Sequence, residues 1–168
     1  MMDNKRFRKK IGDVFEVSTS KGLAYFQYTH EHKSGGFARF SLVRVLQGFF
    51  EQRLSDHEIA DLIKQPHRFQ TFCFLQHGIR QDEVVFIGNF PVPEFAQKFP
   101  IFKGTNNMPK TDPKEKIWWL WDGEKEWRVG KLSLQEQMKY PLDGICDITA
   151  LVLKIERGKG PGGFDVLC

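Results

Sequence analysis

"IWWLWDGEKEWRVG", residues Ile117 to Gly130, holds all four tryptophans of a 168-residue chain. Asp122-Gly123 sits between two β-prone runs, and a glycine there accepts the positive φ of a tight hairpin turn. Side chains alternate along a strand, so the number of loop residues decides which of them share a face. A two-residue loop (Asp122-Gly123) sets Trp118 opposite Trp127, and a four-residue loop (Asp122 to Lys125) sets Leu120 opposite Trp127. Both place Trp118, Leu120, Trp127 and Val129 on one face, which reads as core. Both leave Ile117, Trp119 and Trp121 on the other face with Glu124, Glu126 and Arg128, a mixture that suits a partly covered surface. An odd loop reverses the arrangement: Ile117, Trp119, Trp121, Trp127 and Val129 turn inward and Trp118 and Leu120 outward. The even loop is preferred because the Asp-Gly turn is so favourable. Trp119, Trp121 and Arg128 are then the candidate partner-contact residues, with Glu124 and Glu126 as rim charges, because Trp beside Arg is the composition of interface hot spots; the alternative for the two tryptophans is a place under the second helix.

Working outward, Asp13 to Val17 alternates, Ser18 to Gly22 is a turn cluster, and Leu23 to Thr29 and Phe37 to Leu46 read as strands. Ser55 with Glu58 three residues on, followed by Ile59, Leu62 and Ile63 on one face, is a capped helix that Pro66 ends. Phe69 to Gln76 reads as an aromatic strand and Glu83 to Ile87 as another. Pro91, Pro93 and Pro100 make Gly88 to Pro100 loop-rich, and any strand there must lie at an edge. Lys103 to Lys116 is polar and reads as a surface loop. Asp147 caps a second helix with Ile148, Leu151, Val152 and Ile155 as its apolar stripe and Gly158 as its stop. The expected fold is α+β: a mostly antiparallel, strongly bent or barrel-like β-sheet with two helices packed on it. Residues 1–168 read as a single domain, with a basic arm over 1–10 and a flexible Gly-rich tail over 158–168.

Composition excludes several classes. Aromatics are 14% of the chain and sixteen residues are Phe, which favours strands over a helical bundle. Net charge is +4, much of it in Lys5 to Lys10, a run that reads first as a solvated arm. Cys73, Cys146 and Cys168 are odd in number and widely spaced, with neither a disulfide framework nor zinc spacing. The basic start leads into no apolar stretch and no segment suits a membrane span, so a cytoplasmic protein is expected.

Catalytic and cofactor signatures are missing from the sequence: it has no Gly-x-Ser-x-Gly elbow, no His-Glu-x-x-His and no dinucleotide fingerprint. His30-x-His32 lacks an obvious third ligand, and Cys73 in an apolar strand reads as a buried inert thiol. No catalytic residue, metal or cofactor is expected. The basic arm and aromatic strands are what a single-strand nucleic-acid binder shows, yet only Arg39 and Arg44 interleave with the aromatics. A nucleic-acid-binding module is therefore the second reading and an enzyme of unrecognised type the third.

Five stretches, in order, carry a resemblance: Lys10-Ile11-Gly12-Asp13-Val14-Phe15, Leu23-Ala24-Tyr25-Phe26, Gly88-Asn89-Phe90-Pro91-Val92-Pro93, Trp121-Asp122-Gly123 with Trp127-Arg128-Val129-Gly130, and Tyr140-Pro141-Leu142-Asp143-Gly144-Ile145. From about Lys10 to Gly158 the chain resembles the predicted immunity proteins of bacterial polymorphic toxin systems, in the group that opens with a Lys-x-Gly-Asp-x-Phe strand. Residues Lys103 to Lys116 and the Gly-rich tail lie outside the pattern. The resemblance implies a small β-rich domain without catalytic residues that binds and neutralises a cognate toxin. The chain's basic balance adds the expectation of a toxin that is neutral or acidic at the contact and not a typical basic nuclease.

Overall fold

A computed structural model describes residues 7–32 and 40–158. Lys5 and Arg6 of the basic arm, residues 33–39 with the expected start of a strand at Phe37, and the tail beyond Gly158 with Cys168 lie outside the described residues.

The chain opens with the expected meander. β1 (Asp13–Thr19) and β2 (Gly22–Glu31) pair as a hairpin, and β3 (Ser41–Val45) and β4 (Phe69–Cys73) follow it antiparallel. β5 (Val85–Asn89) adds to the free side of β1, and two-residue β9 (Ile145–Cys146) pairs with β4 in parallel. The six-stranded order is β5-β1-β2-β3-β4-β9. β6 (Phe102–Gly104), β7 (Trp118–Trp121) and β8 (Glu126–Gly130) form a separate antiparallel sheet of three. Neither sheet closes on itself, so the architecture is α+β without a barrel.

Alternation along the strands gives the large sheet two buried faces. Phe15, Phe26, Val43 and Val45 line one face. On it lie α4 (Ile148–Arg157), through Ile148, Leu151 and Ile155, and α2 (Leu75–Arg80), through Leu75 and Ile79. The opposite face is divided. Val14, Tyr25 and Leu46 meet α1 (Asp56–Ile63) through Ile59, Leu62 and Ile63. Leu42 and Phe72 instead meet Phe102 and Trp121 of the small sheet, with the Phe72 and Phe102 rings stacked 5.0 Å apart.

α1 and α4 follow their sequence signals. Ser55 and Glu58 form the reciprocal capping box, and Asp147 accepts a hydrogen bond from the Ala150 N–H at 2.7 Å. Two further helices correct the expected pair. The aromatic strand stops at Cys73, where the Phe74 N–H donates to the Cys146 carbonyl, and the next turn winds into α2. Leu75 and Ile79 are spaced i, i+4, which puts both on one face of the helix, and both are buried. α3 (Leu134–Gln137) is a single turn with its own capping box, Ser133 and Glu136. The stretch expected as a polar loop from Lys103 begins inside β6.

The Gly12-Asp13 and Gly88-Asn89 pairs join two strands. Gly12 has φ of +95°, and a Cβ there would collide with the Phe90 carbonyl oxygen. The Phe90 N–H donates to the Gly12 carbonyl, and Asn89 Nδ2 donates to Asp13 Oδ1 at 2.8 Å. The described part of the basic arm is docked: the Phe7 ring lies 4.9 Å from Phe86 and its carbonyl accepts from Gln76.

Candidate partner-binding face

The tryptophan hairpin has the four-residue loop. Trp121 pairs with Glu126, Leu120 with Trp127 and Trp119 with Arg128. Asp122 caps the loop, its Oδ1 accepting from the N–H groups of Lys125 and Glu124 at 2.8 and 2.9 Å. Those bonds, from Lys125 first, hold its carboxyl below the usual range.

Two rows of paired residues cross the small sheet on the face that turns toward the large one. One runs Phe102, Trp121, Glu126 and the other Gly104, Trp119, Arg128. Phe102 is fully buried, and Trp121 is half-buried against Phe72, Phe99, Phe102 and His32. Trp121 therefore anchors the hairpin to the large sheet more than it offers itself to a partner. Trp119 is half-buried, and Glu124, Glu126 and Arg128 are exposed. None of those three charges forms an ion pair among the described residues.

Asp143 completes this face. The 141–143 segment runs along β6, with the Lys103 N–H donating to the Pro141 carbonyl and the Asp143 N–H to the Lys103 carbonyl. Its carboxylate fills the space a side chain at Gly104 would occupy. Burial first, and then the charge of Glu126, push the Asp143 carboxyl up to about 6. No local pattern in the sequence marks this, because Tyr140 to Ile145 leads into a helix.

The other face of the hairpin divides at its edge. Trp118 is fully buried and Leu120 nearly so, as an even loop requires. Trp127, expected in the core with them, is 37% exposed. The covering layer reaches Trp118 through Lys103 and Gln137, whereas Trp127 lies on β8, the outer strand. β6 is flanked by the 141–143 segment, which leaves β8 as the open edge of this sheet.

Both ring nitrogens of His30 are occupied. Its Nε2 donates to the Gln97 carbonyl at 2.7 Å, and its Nδ1 lies 2.9 Å from Thr29 Oγ1. His32 packs on Phe99 and Trp121. No group of three or more His, Cys, Asp or Glu among the described residues is placed to hold a metal. Cys73 is buried, and burial pushes its thiol up to about 12. No described helix is long and apolar enough to cross a membrane. Comparison with protein-family models, with curated proteins and with solved structures finds no match to this chain.

Proposed function

We propose that this chain is a non-enzymatic immunity protein that binds and neutralises a cognate bacterial toxin through the hairpin face of its small sheet. The observation that carries the proposal is the row Gly104, Trp119, Arg128, where a half-buried indole and a guanidinium without an ion pair among the described residues share a face on a capped hairpin. Rigid aromatic and Arg anchors with unpaired rim charges are the parts that inhibitory interfaces use. The open edge of β8 adds backbone donors and acceptors that an extended partner segment can pair with. The order of motifs along the chain supports the same reading.

Charge sharpens the partner. Asp122, Glu124, Glu126 and Asp143 gather at the hairpin, against Lys125 and Arg128. Fields between exposed charges fade within about 10 Å at ordinary salt, so this local excess outweighs the net charge of the whole chain at a contact. The proposed partner presents basic groups beside an apolar wedge, which departs from the neutral or acidic toxin that net charge alone suggests.

The test is protection. Production of the toxin encoded beside this gene should halt growth of a host cell, and co-production of this chain should restore it. The variants Trp119→Ala and Arg128→Ala should keep the fold and lose protection and capture of the toxin. Full protection by both variants would remove this face as the contact. No capture of the adjacent gene's product would remove the function itself.

A further inference from the structure

A cleft of about 320 Å³ opens between the one-turn 3-10 helix Glu94–Ala96 and the segment that follows α3. Both walls are fixed. His30 holds the first through the Gln97 carbonyl, and Gln97 Nε2 also donates to the Val92 carbonyl at 3.0 Å. Gln137 holds the second by donating to the Pro113 and Leu132 carbonyls at 2.9 Å each.

The lining has a consistent chemistry. Phe95, Phe99 and Tyr140 supply flat apolar surfaces, and Phe95 is 53% exposed, more than any other phenylalanine in the described core or its margins. Lys98 and Lys139 supply cations, both exposed and neither in an ion pair among the described residues. Gln70 supplies an amide, which both donates and accepts. Among the described residues no carboxylate lines the cleft.

A further cation lies behind the Phe95 wall. Arg44 is completely buried on β3, is the cross-strand partner of Gln70, and sets its guanidinium carbon 5.4 Å from the Phe95 ring centre. Its Nε donates to Gln27 and its Nη2 to the Ile63 carbonyl, but Nη1 has no hydrogen-bond partner. Among the described residues no carboxylate offsets it; burial alone lowers its pKa to about 10, so it stays charged at neutral pH. A buried charge without a counter-charge is costly.

We propose that this cleft binds a nucleoside monophosphate unit, its base stacked on Phe95 and Tyr140, its base edge met by Gln70 and its phosphate held by Lys98 and Lys139. Stacking on aromatic faces suits any planar base, and lysines bind phosphate as point charges. The volume lies in the range of small-molecule sites. The cleft adjoins the hairpin face, since Phe99 also packs on Trp121, but its proposal does not depend on the toxin-binding reading. The unit can come as a free nucleotide or as one residue of a single strand.

Calorimetric titration of the full chain at low ionic strength tests it, with the four ribonucleoside 5′-monophosphates, the four nucleosides, inorganic phosphate and a short single-stranded oligonucleotide as probes. At least one monophosphate should bind saturably, and roughly tenfold or more tighter than either its nucleoside or inorganic phosphate. Lys98→Glu with Lys139→Glu should weaken that binding by a similar factor while leaving the thermal midpoint unchanged, since both side chains are exposed. Phe95→Ala should weaken nucleotide binding more than phosphate binding. Tighter binding of the oligonucleotide would uphold the site and make a single strand its source; tighter binding of the mononucleotide would uphold it with the free nucleotide. Absence of saturable binding, equal affinity for inorganic phosphate, or full affinity in the lysine variant would overturn it.

Discussion

The six-stranded sheet is closed on both faces by aliphatic and aromatic side chains, whereas the three-stranded sheet is closed on its outer face by a tryptophan between two lysines. Trp118 is fully buried there with the Lys103 and Lys116 ammonium groups 5.3 and 5.8 Å from its ring, and Lys103 donates to the Gln137 carbonyl. Helices of eight and ten residues can each bring a stripe of apolar side chains to the large sheet. The small sheet is covered by a single helical turn and irregular chain, which bring carbonyls as much as apolar surface. Long lysine stems cover the indole while their charged ends find polar partners. The large sheet is held mainly by area and the small one by specific polar contacts as well, so the two should fail differently.

The joint between them should show the largest effect. Phe72 is fully buried and touches Phe99, Phe102 and Trp121. Phe72→Ala should cost about 3–5 kcal/mol and release the small sheet first, read by denaturant unfolding followed separately in tryptophan fluorescence and far-UV dichroism. Coincident transitions would show that the sheets unfold as one unit and would break the comparison.

Gln137→Leu probes the polar side alone. The side chain is completely buried and donates to two carbonyls that leucine would leave unpaired. The expected loss is about 2 kcal/mol, with faster amide exchange over residues 105–121 and unchanged protection in β1, β2 and β3. Equal acceleration in both sheets would contradict it.

Asp143→Asn should act in the other direction and depend on pH. The folded carboxyl keeps its proton to about pH 6, while the unfolded one releases it near pH 4. Between those values the unfolded chain carries fewer protons, so stability falls as pH rises, and the full penalty stands at pH 7. The amide should therefore raise stability by about 1–2 kcal/mol at pH 7 and leave it unchanged below pH 4. A gain that persists at low pH would assign the effect to packing.

Ser55→Ala, in the layer beneath the large sheet, is the smallest change. It should cost about 1 kcal/mol through loss of the α1 cap, without altering exchange in the hairpin.

The legible parts of the fold were local. The Ser55 box, the Asp147 cap and the β1–β2 turn depend on residues three or four apart, and each element formed where its signal lay. The hairpin face holding Trp119, Trp121, Glu126 and Arg128 was also legible, because parity along two paired strands follows from loop length alone. α2 was hidden because Leu75 and Ile79 follow directly on an aromatic strand, and two positions make too short a stripe to mark a change of period. The site was legible only in part: nothing in the Tyr140 to Ile145 stretch that leads into the last helix marks Asp143 as a site residue, and it reaches the face only because Gly104 leaves room for it.

The sequence by itself determined the strand-rich character, both long helices and which hairpin residues lie together, since caps, turns and alternation act over a few residues. Tertiary structure decided which of those residues are spent on packing. Trp121 is drawn into the joint by Phe72, Phe99 and Phe102, Trp127 is left at an open edge, and Arg44 is buried without a counter-charge. Burial depends on neighbours tens of residues away, and the pattern around a residue does not contain them.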